Sequence, residues 1–421
     1  MFHQSNLLEL DTCLACGSKN LKLTLDLNDQ PLANSFKDTK DEVQDKYPLA
    51  INRCTDCYHV QLTHAVNPEL MFKNYLYVSG TTQTMKNHFK WFADYAYETY
   101  SVYTHTDETY SVYTHTDPKN VMDIGCNDGS QLNAFKTYGM KTVGIDPAEN
   151  LLEKSLSAGH KVYPTFLDSN FVLNHDETYD IVTAQNVFAH NYDPLTFMKC
   201  VRKLMHNCSL FFIQTSQCDM ILNNEFDTIY HEHISFYNIQ SMNKLCRRAG
   251  MFLVDVIKCP LHGNSYIFVI SRNETYSRPS NIENLIEMEK KSGLYTDKTY
   301  IKYANKCVSV VEELQKRIDI FKNYFKIVGY GAAAKGMTLL NYSNIHMDYI
   351  IDDNPLKQGK FTPGTNIEIC SIDKLNQDFG SVLFVPLAWN FFDEIKTRIK
   401  SKRNNPDDRF LKYFPVVEIE A

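Results

Sequence analysis

A cluster of four ionisable side chains occupies consecutive positions near the middle of the chain. The segment reads Phe226-Asp-Thr-Ile-Tyr-His-Glu-His233, and the four residues are Tyr230, His231, Glu232 and His233. Histidine titrates near neutral pH, a neighbouring carboxylate can orient its ring, and a tyrosine hydroxyl can donate to a developing oxyanion. These residue types favour catalytic proton transfer. Structural polar packing and metal binding are the alternatives, and the metal interpretation lacks the H-E-x-x-H spacing.

His190 is a second histidine in a position suited to catalysis. It lies in the segment Gln185-Asn-Val-Phe-Ala-His-Asn191, directly after a predicted strand at 179–184, and Asn186 stands near the end of that strand. The carboxyl ends of parallel strands meet at one edge of a sheet, where open α/β folds bind ligands. His190 is therefore a candidate for the substrate-facing edge, although its residue type alone is typical of an ordinary loop histidine.

The segment 121–146 predicts a strand, a glycine turn, a helix and a second strand. The turn reads Asp123-Ile-Gly-Cys-Asn-Asp-Gly129, and Asp146 closes the second strand. Gly125 and Gly129 let the backbone approach a ligand that a Cβ atom would block. Asp146 lies where a carboxylate can accept both ribose hydroxyls of an adenosine. The pattern predicts an adenosine-containing cofactor.

The charge of this turn distinguishes between possible cofactors. Asp123 and Asp128 would repel a pyrophosphate at the helix N-terminus, whereas they would attract a sulfonium and an ammonium group. S-adenosylmethionine is therefore expected in preference to a dinucleotide. The residues expected to bind it are Asp123, Gly125, Asn127, Asp128, Gly129, Asp146 and Asn186.

Two C-x-x-C pairs predict one metal site near the N-terminus. Cys13 and Cys16 form the first pair, and Cys54 and Cys57 form the second. Each pair directs two thiolates at one point, so that the two pairs complete a tetrahedral zinc shell with no open position. The expected Zn²⁺ ion is therefore structural. A redox dithiol or a chance spacing is the alternative.

The segment 326–353 repeats the plan of strand, glycine turn, helix, strand and acid. Its turn, Gly329-Tyr-Gly-Ala-Ala-Ala-Lys-Gly336, matches the dinucleotide fingerprint, with Asp352 about 20 residues further on. An NAD-dependent dehydrogenase is therefore one alternative. A phosphate-bearing substrate that rests on Gly331, with Lys335 nearby, is another, and it gives a role to both halves of the chain.

The motifs indicate an α/β protein with three domains. The predicted domains are 1–80, 81–275 and 276–421. The alternation of strands and helices in the second predicts a parallel sheet with helices on both faces. A charged helical stretch at 282–322 leads into the third. A ten-residue segment at 98–107 recurs unchanged at 108–117 and is expected to lengthen the linker before the first strand.

The composition is that of a soluble globular protein. The net charge of −7 gives no general attraction to phosphate backbones, so nucleic acid is not an expected partner. No apolar run approaches the roughly 20 residues needed to cross a bilayer, so no membrane association is expected. Apart from the two pairs, the twelve cysteines are scattered, which suits a reducing, cytoplasmic location.

Together these residues resemble the three-domain sugar C-methyltransferases that act on nucleotide-linked 4-keto-deoxysugars. The resemblance covers nearly the whole chain, and it implies a zinc-binding domain, a Rossmann-like S-adenosylmethionine domain and a Rossmann-like C-terminal domain. It also implies that a Tyr-x-Glu-His motif, a loop histidine and a tyrosine of the first domain form the active site. The corresponding residues here are Tyr230, Glu232, His233, His190 and, of the eligible Tyr75 and Tyr77, Tyr77.

The chain departs from the family pattern at two places. Where the family commonly has His-Gly-Gly-Ser-Leu-Arg, this chain has His262-Gly-Asn-Ser-Tyr-Ile267, so that an expected substrate-binding arginine is missing. Asn264 and Ser265 remain as candidate substrate contacts. Gln214 stands where a glutamate is usual. These changes affect the identity of the substrate more than the type of reaction.

The resulting hypothesis is carbon methylation of a nucleotide-linked keto-deoxysugar. His233 removes the proton beside the ketone, Tyr230 or His190 donates to the enolate, and Glu232 orients the base. The enolate carbon then attacks the methyl group of S-adenosylmethionine. An O- or N-methyltransferase acting on a sugar or another small molecule is the main alternative, because it needs no ketone. A dehydrogenase and a non-catalytic zinc-stabilised binding protein are the others.

Overall fold

The described residues contain four β-sheets. We describe the fold in chain order as an N-terminal, a central and a C-terminal unit. The computed structural model describes residues 6–73, 78–81, 83–105, 117–216, 218–259, 265–276 and 279–421. Within these residues, no helix is long and apolar enough to cross a membrane.

The N-terminal unit is built from antiparallel strands. Its elements are β1 (Leu7–Glu9), β2 (Leu21–Gln30), β3 (Tyr47–Cys54), β4 (Val60–Leu62), β5 (His64–Val66) and the short helix α1 (Glu69–Phe72). Strands β2, β3 and β4 form one sheet, and β1 pairs with β5. Buried side chains such as Leu27, Leu49 and Ile51 cover the inner face of the larger sheet and join a core shared with the C-terminal unit.

The central unit contains a seven-stranded sheet. Its elements are α2 (Gln83–His105), β6 (Asn120–Ile124), α3 (Ser130–Lys136), β7 (Lys141–Ile145), α4 (Leu152–Ser157), β8 (Lys161–Tyr163), α5 (Ser169–Leu173), β9 (Tyr179–Gln185), α6 (Pro194–Lys203), β10 (Met205–Thr215), α7 (Met220–Asn223), β11 (Ser235–Phe236), α8 (Ile239–Arg248), β12 (Phe252–Cys259) and β13 (Ser265–Ser271). The sheet order is β12-β13-β10-β9-β6-β7-β8. The order reverses between β6 and β9, so their carboxyl ends form the crevice in which such sheets bind ligands.

The expectation of a purely parallel sheet is wrong at β13, which runs antiparallel to both of its neighbours, β10 and β12. β12 and β13 follow each other in the chain and pair as neighbours, and neighbouring strands with a short connection are antiparallel. The central strands are almost fully buried, which explains why they read as continuous apolar runs. Side-chain caps at Asp168, Asp193 and Asn238 begin α5, α6 and α8.

The tandem repeat lies partly in a helix. Residues 98–105, which begin its first copy, are the last turns of α2, so the expectation of a linker is wrong for them. Tyr100 and Tyr103 are buried against the central sheet, and the Tyr100 hydroxyl donates to Asp180 at 3.2 Å. Residues 106–116, which complete the first copy and contain most of the second, lie outside the described residues.

The C-terminal unit begins with two helices and continues as a second Rossmann-like sheet. Its elements are α9 (Pro279–Lys291), α10 (Asp297–Phe321), β14 (Lys326–Tyr330), α11 (Ala334–Ser343), β15 (Tyr349–Ile351), β16 (Ile369–Cys370), β17 (Val382–Pro386), α12 (Phe392–Lys402), β18 (Arg409–Lys412) and β19 (Glu418–Glu420). The sheet order is β16-β15-β14-β17-β18-β19, and all pairs are parallel except β18 with β19.

Six 3₁₀ turns complete the described secondary structure. They are Ser79–Thr81, Glu149–Leu151, Phe188–His190, Glu274–Tyr276, Ile372–Gln377 and Trp389–Phe391.

The three units are joined by shared backbone pairing. Strand β11 of the central unit adds to β4 at the edge of the N-terminal sheet, and Ile234 accepts from Leu62 at 2.8 Å. Lys37 of the N-terminal unit forms a bridge with Phe361 of the C-terminal unit. Helices α10 and α11 pack against β2. The segment 225–236 therefore lies where all three units meet.

Candidate active site

Four cysteine sulfurs converge in the N-terminal unit. Cys13 Sγ lies 3.6 Å from Cys57 Sγ, Cys16 Sγ lies 3.6 Å from Cys54 Sγ, and all four sulfurs lie within 4.8 Å of one another. Four thiolates at about 2.3 Å from a tetrahedral zinc ion are about 3.8 Å apart, so the arrangement fits Zn²⁺ closely. The ion is structural, because four protein ligands leave no position for a reactant.

The zinc site also fastens the N-terminal unit to the central unit. Arg248 at the end of α8 donates to Ala15 O at 2.7 Å, and Lys244 donates to Asp56 O at 2.9 Å. His59 is fully buried beside the cluster, but its Nε2 lies 3.2 Å from Ser235 Oγ in β11. His59 therefore acts as a contact to the central unit and not as a fifth ligand.

The glycine turn after β6 is held by the carboxylate at the end of β7. Asp146 accepts from Asn127 N and from Ala148 N, both at 2.8 Å, one on each oxygen. Because each carboxylate oxygen has a second lone pair, Asp146 can still accept from the hydroxyls of a ribose. The same side chain therefore builds the turn and faces the predicted cofactor.

Asp123 is buried at the carboxyl end of β6, with 3% of its surface exposed. Its Oδ1 accepts from Thr183 Oγ1 at 2.6 Å. Burial and, to a smaller extent, the nearby Asp146 raise the pKa of Asp123 to about 7, although the hydrogen bond from Thr183 opposes the increase. An ionised Asp123 is costly in this environment, so a cationic ligand is the natural partner for its charge.

Gly125 and Gly129 are required for a reason that the sequence did not reveal. Both have positive φ angles, +74° and +78°. A Cβ atom at position 125 would lie 2.2 Å from Val187 Cγ2, and one at position 129 would lie 2.9 Å from Ser155 Oγ. The glycines therefore allow the turn to pack against its own protein, in addition to any ligand.

Residues 78–81 cover the turn from the side of α2. Ser79 N donates to Asn127 Oδ1 at 3.0 Å, and Gly80 N donates to Asp128 Oδ2 at 3.1 Å. Asn186 follows β9 with a φ of 55°, and its backbone N–H donates to Gln214 O at 2.7 Å. All seven predicted cofactor-binding residues therefore belong to the β6, β7 and β9 ends of one crevice.

Four aromatic rings form a stack beside this crevice. The Phe72 and His190 rings are 5.3 Å apart and nearly parallel, His190 and His233 are 5.4 Å apart, and Tyr230 and His233 are 4.0 Å apart. Burial lowers the pKa of His190 to about 4, so its ring is neutral at physiological pH. A neutral imidazole still has one N–H to donate. The structure therefore brings three of the predicted catalytic residues together.

The hydrogen bonds of His233 define its tautomer. Nδ1 lies 3.0 Å from Thr228 O and 3.3 Å from Ser216 Oγ, and Nε2 lies 2.6 Å from Tyr230 Oη. A carbonyl oxygen can only accept, so the neutral ring carries its proton on Nδ1 and accepts the Tyr230 hydroxyl on Nε2. Nε2 is thus the basic atom, and the Thr228 carbonyl orients it.

Glu232 lies at the junction of the three units. It is buried, with 5% exposed, and its Oε1 accepts from Asn34 Nδ2 of the N-terminal unit. The positive charge of Lys357 in the C-terminal unit interacts with it, and desolvation lowers the pKa of that lysine. His231 lies apart from these residues, because its Nε2 contacts Tyr47 O at 3.2 Å.

The second glycine turn repeats the construction of the first. Asp352 accepts from Ala332 N at 2.7 Å and from Asn354 N at 2.8 Å, one on each oxygen, as Asp146 does in the central unit. Gly331 has a φ of +91°. Lys357 Nζ donates to Ala332 O at 2.7 Å and lies 3.8 Å from Asp352. This turn therefore contains a partly buried cation.

The helix after this turn contacts the Tyr230–His233 segment. Thr338 in α11 donates to Ile229 O at 2.9 Å. Asp227 is fully buried and accepts from Trp389 Nε1 at 2.7 Å, and Lys335 Nζ lies 4.9 Å from the centre of the Trp389 ring. Burial raises the pKa of Asp227, and Lys335 opposes that increase. Lys335 in α11, and Gly331 in the turn before it, therefore belong to the unit that contacts the predicted catalytic segment.

The remaining predicted residues are placed differently. Ser265 is buried at the start of β13, where it pairs with Cys259 of β12. Tyr77, its alternative Tyr75, and Asn264 lie outside the described residues.

Sequence reasoning missed four contributors to the site. They are Asn34, Ser216, Thr228 and Lys357. Asn34 and Lys357 come from other units, far along the chain, and neither belongs to a motif. Thr228 acts through its backbone carbonyl, which leaves no signal in the residue type. Ser216 gives a weak signal, because it follows directly after a strand that ends at the ligand-binding edge.

Three family models match successive parts of the chain. A zinc-binding domain matches residues 13–72, a methyltransferase domain matches residues 108–256, and a C-methyltransferase C-terminal domain matches residues 260–415. The last match assigns the second glycine turn to a methyltransferase, so the dehydrogenase alternative has no support.

The chain is similar to known methyltransferases in sequence and in structure. The C-methyltransferase NovU of Streptomyces niveus is 27% identical over 420 residues, and the alignment covers 96% of each chain. A ubiquinone biosynthesis O-methyltransferase of Hydrogenovibrio crunogenus is 26% identical over 152 residues, which are 32% of this chain and 63% of that protein. The structure of an S-adenosylmethionine-dependent methyltransferase from Clostridium acetobutylicum aligns with a TM-score of 0.32 and 11% identity, over 37% of this chain and 84% of that chain.

The domain content and the full-length match give one assignment. The enzyme uses S-adenosylmethionine as its methyl donor and Zn²⁺ as a structural ion. The chain is an S-adenosylmethionine-dependent methyltransferase that combines a zinc-binding domain, a methyltransferase domain and a C-methyltransferase C-terminal domain, and it is similar over nearly its whole length to a C-methyltransferase.

Proposed function

We propose that the enzyme methylates a carbon beside the ketone of a nucleotide-linked keto-deoxysugar, with His233 as the general base. The observation that carries the proposal is the Tyr230–His233 pair. The Thr228 carbonyl fixes the proton on Nδ1 of His233, so the basic Nε2 is presented to Tyr230 Oη at 2.6 Å. A neutral base paired with a hydroxyl is suited to forming an enolate.

In the first step, the hydrogen bond between Tyr230 and His233 is replaced by contacts of both residues with the substrate. The ketone oxygen accepts the Tyr230 hydroxyl, which leaves His233 Nε2 available to the hydrogen on the neighbouring carbon. Nε2 takes that proton, the C–H electron pair forms the enolate double bond, and negative charge develops on oxygen. Tyr230 and the N–H of the neutral His190 stabilise that charge.

The enolate carbon is the acceptor of the methyl group. Bound in the β6–β9 crevice, S-adenosylmethionine would supply an electrophilic methyl group to this carbon, which would restore the ketone and leave the electron pair of the broken carbon–sulfur bond on sulfur. His233 releases its proton to water. Asp123 and Asp146 hold the cofactor, and Asn127 and Asp128 connect the turn to residues 78–81.

The nucleotide part of the substrate belongs at the second glycine turn. Lys335 lies in the first turn of α11 and Lys357 beside Asp352, so two cations face this region from the C-terminal unit. Phosphate oxygens are favoured by lysine ammonium groups and by a helix N-terminus. Because α11 contacts Ile229, phosphates held there would place the sugar near Tyr230.

Glu232 is proposed to position the sugar or the base from the junction of the units. Asn34 and Lys357 face its carboxylate, and both stabilise negative charge there. The Thr228 carbonyl shares the orienting role, since it is the acceptor found at His233 Nδ1.

Deuterium exchange tests the proposed reaction without requiring turnover. A thymidine diphosphate 4-keto-6-deoxyhexose is incubated in D₂O with the enzyme and S-adenosylhomocysteine, and proton NMR follows the hydrogens beside the ketone. The wild-type enzyme should exchange one of them. His233→Asn should exchange it about 10²–10⁴-fold more slowly and still bind S-adenosylmethionine in calorimetry.

His231→Asn is the matched control, because His231 is the neighbouring histidine and contacts Tyr47 instead of Tyr230. His231→Asn should exchange the hydrogen beside the ketone at the wild-type rate. If the wild-type enzyme methylates the compound on oxygen or nitrogen without exchange, the carbon mechanism is wrong. If His233→Asn exchanges at the wild-type rate, a different residue is the base.

A further inference from the structure

Strand β10 ends with a buried amide that has an unused donor. Gln214 is fully buried, and within the described residues its Nε2 has no hydrogen-bond partner. Leaving a donor buried and unpaired is unfavourable, so such atoms are rare in folded proteins. An acceptor supplied by a ligand would satisfy it.

A chain of hydrogen bonds fixes which end of this amide is unused. Gln131 Nε2 donates to the carbonyl of Phe89 at 3.1 Å, so Gln131 Oε1 faces Gln185 and accepts from its Nε2 at 2.8 Å. Gln185 Oε1 then accepts from His88 Nε2 at 3.3 Å. His88 Nε2 therefore carries a proton and donates to Gln214 Oε1 at 2.8 Å. The amide nitrogen of Gln214 points elsewhere.

His88 is neutral in this network. Burial lowers the pKa of His88, and the Cys259 thiol lies 3.9 Å from its Nδ1 and can donate to it. The network therefore presents a neutral donor to its surroundings. A carboxylate at position 214 would present an acceptor and would pair with a protonated His88.

The unused donor lies close to the candidate base. Gln214 is two residues before Ser216, whose hydroxyl is 3.3 Å from His233 Nδ1. Because Ser216 follows directly after β10, the Cα atoms of these two residues are at most about 7 Å apart. That separation is comparable with the width of a hexose ring. Gln214 also pairs with the end of β9, where Asn186 borders the cofactor crevice.

We propose that Gln214 is a substrate-binding residue, whose amide N–H donates to the oxygen of a ring hydroxyl of the sugar on the side facing β10. This inference rests on the proposed function and adds a specificity. A donor at this position favours a hydroxyl over a charged amino group, because a hydroxyl oxygen accepts a hydrogen bond and an ammonium group does not.

Isothermal calorimetry with three ligands tests the assignment. They are a thymidine diphosphate 4-keto-6-deoxyhexose with its ring hydroxyls, its 2-deoxy analogue and its 3-deoxy analogue. Gln214→Met keeps the side-chain length and removes the amide. It should raise the Kd of the full compound about three- to tenfold, with the Kd of S-adenosylmethionine unchanged. The deoxy analogue that lacks the contacted hydroxyl should bind to wild type and to Gln214→Met with the same Kd.

Gln240→Met is the control, because Gln240 lies in α8, outside this network, and its amide nitrogen donates to Asp56 O. It should leave the Kd of the sugar nucleotide unchanged. If Gln214→Met binds the full compound as tightly as wild type does, an internal water satisfies the amide and the proposal is wrong. A wild-type enzyme that binds the compound but exchanges no hydrogen refutes the proposed function alone, since the binding comparison still decides the role of Gln214.

Discussion

Replacing Asp123 by Asn tests the electrostatic basis of cofactor binding. Burial raises the pKa of this carboxyl from 3.8 to about 7, which corresponds to an ionisation that costs about 4 kcal/mol more in the folded than in the unfolded chain. Between these two pKa values the unfolded chain has lost the proton and the folded protein keeps it. The folded protein therefore binds more protons, and its stability falls as the pH rises towards 7.

The effect is measurable over a mild pH range. As the pH rises from 5.5 to 7, the ionisation of Asp123 should lower the free energy of unfolding of the cofactor-free enzyme by about 2 kcal/mol. Asp123→Asn lacks this contribution, but its amide oxygen can still accept from Thr183. Urea denaturation at four pH values, followed by fluorescence, gives the difference between the two proteins. Asp41→Asn, at an exposed carboxylate, should keep the wild-type pH dependence.

Binding of S-adenosylmethionine should favour the ionised form of Asp123 over the protonated form. The sulfonium favours the ionised carboxylate, so binding at pH 6 should release a proton, and affinity should increase as the pH approaches 7. Calorimetry in two buffers of different ionisation enthalpy counts the protons. Asp123→Asn should release about one proton fewer and bind more weakly at pH 8. The reasoning fails if Asp123→Asn and wild type have the same pH dependence of stability and the same proton release.

Three further predictions concern the metal, the first glycine turn and Lys357. Removing zinc with a strong chelator should unfold the N-terminal unit, seen as rapid proteolysis within it, and restoring Zn²⁺ should reverse the change. Gly125→Ala should destabilise the enzyme by about 2–5 kcal/mol in denaturant titrations, because its Cβ would strain a positive φ and contact Val187; adding Val187→Ala should recover the steric part only. Lys357→Met leaves Asp352 without its cation and should lower stability by about 3 kcal/mol and weaken sugar-nucleotide binding. Lys360→Met removes a more exposed ion pair, with Asp38, and should lower stability by less than about 1 kcal/mol and leave binding unchanged.

The fold could be predicted where the pattern is local. The C-x-x-C pairs placed the zinc ligands, because four thiolates at that spacing have one common geometry. Apolar runs such as residues 210–213 of β10 located the central strands, since strands buried on both faces contain few polar residues. The direction of β13 could not be read in this way, because an apolar run has the same composition in either orientation.

The candidate site was predictable in its motifs and not in its contacts. Tyr230 and His233 are three residues apart, and the local turn brings them together. Glu232 and Asn34 are 198 positions apart, so their contact depends on how the N-terminal unit docks. The same holds for Lys357. A single sequence shows which residue types can do chemistry, but the partners that orient them come from packing between units.

The pairing of β11 with β4 limits how members of this family can be recombined. Ser235 and Phe236 complete the N-terminal sheet only two residues after His233, and their partners are Gln61 and Val60. A chimera that exchanges the zinc-binding domain at a boundary near residue 80 would give the segment next to the candidate base a foreign edge strand. A chimera made to transfer substrate specificity should therefore be active only when β4 and residues 225–236 come from the same parent protein.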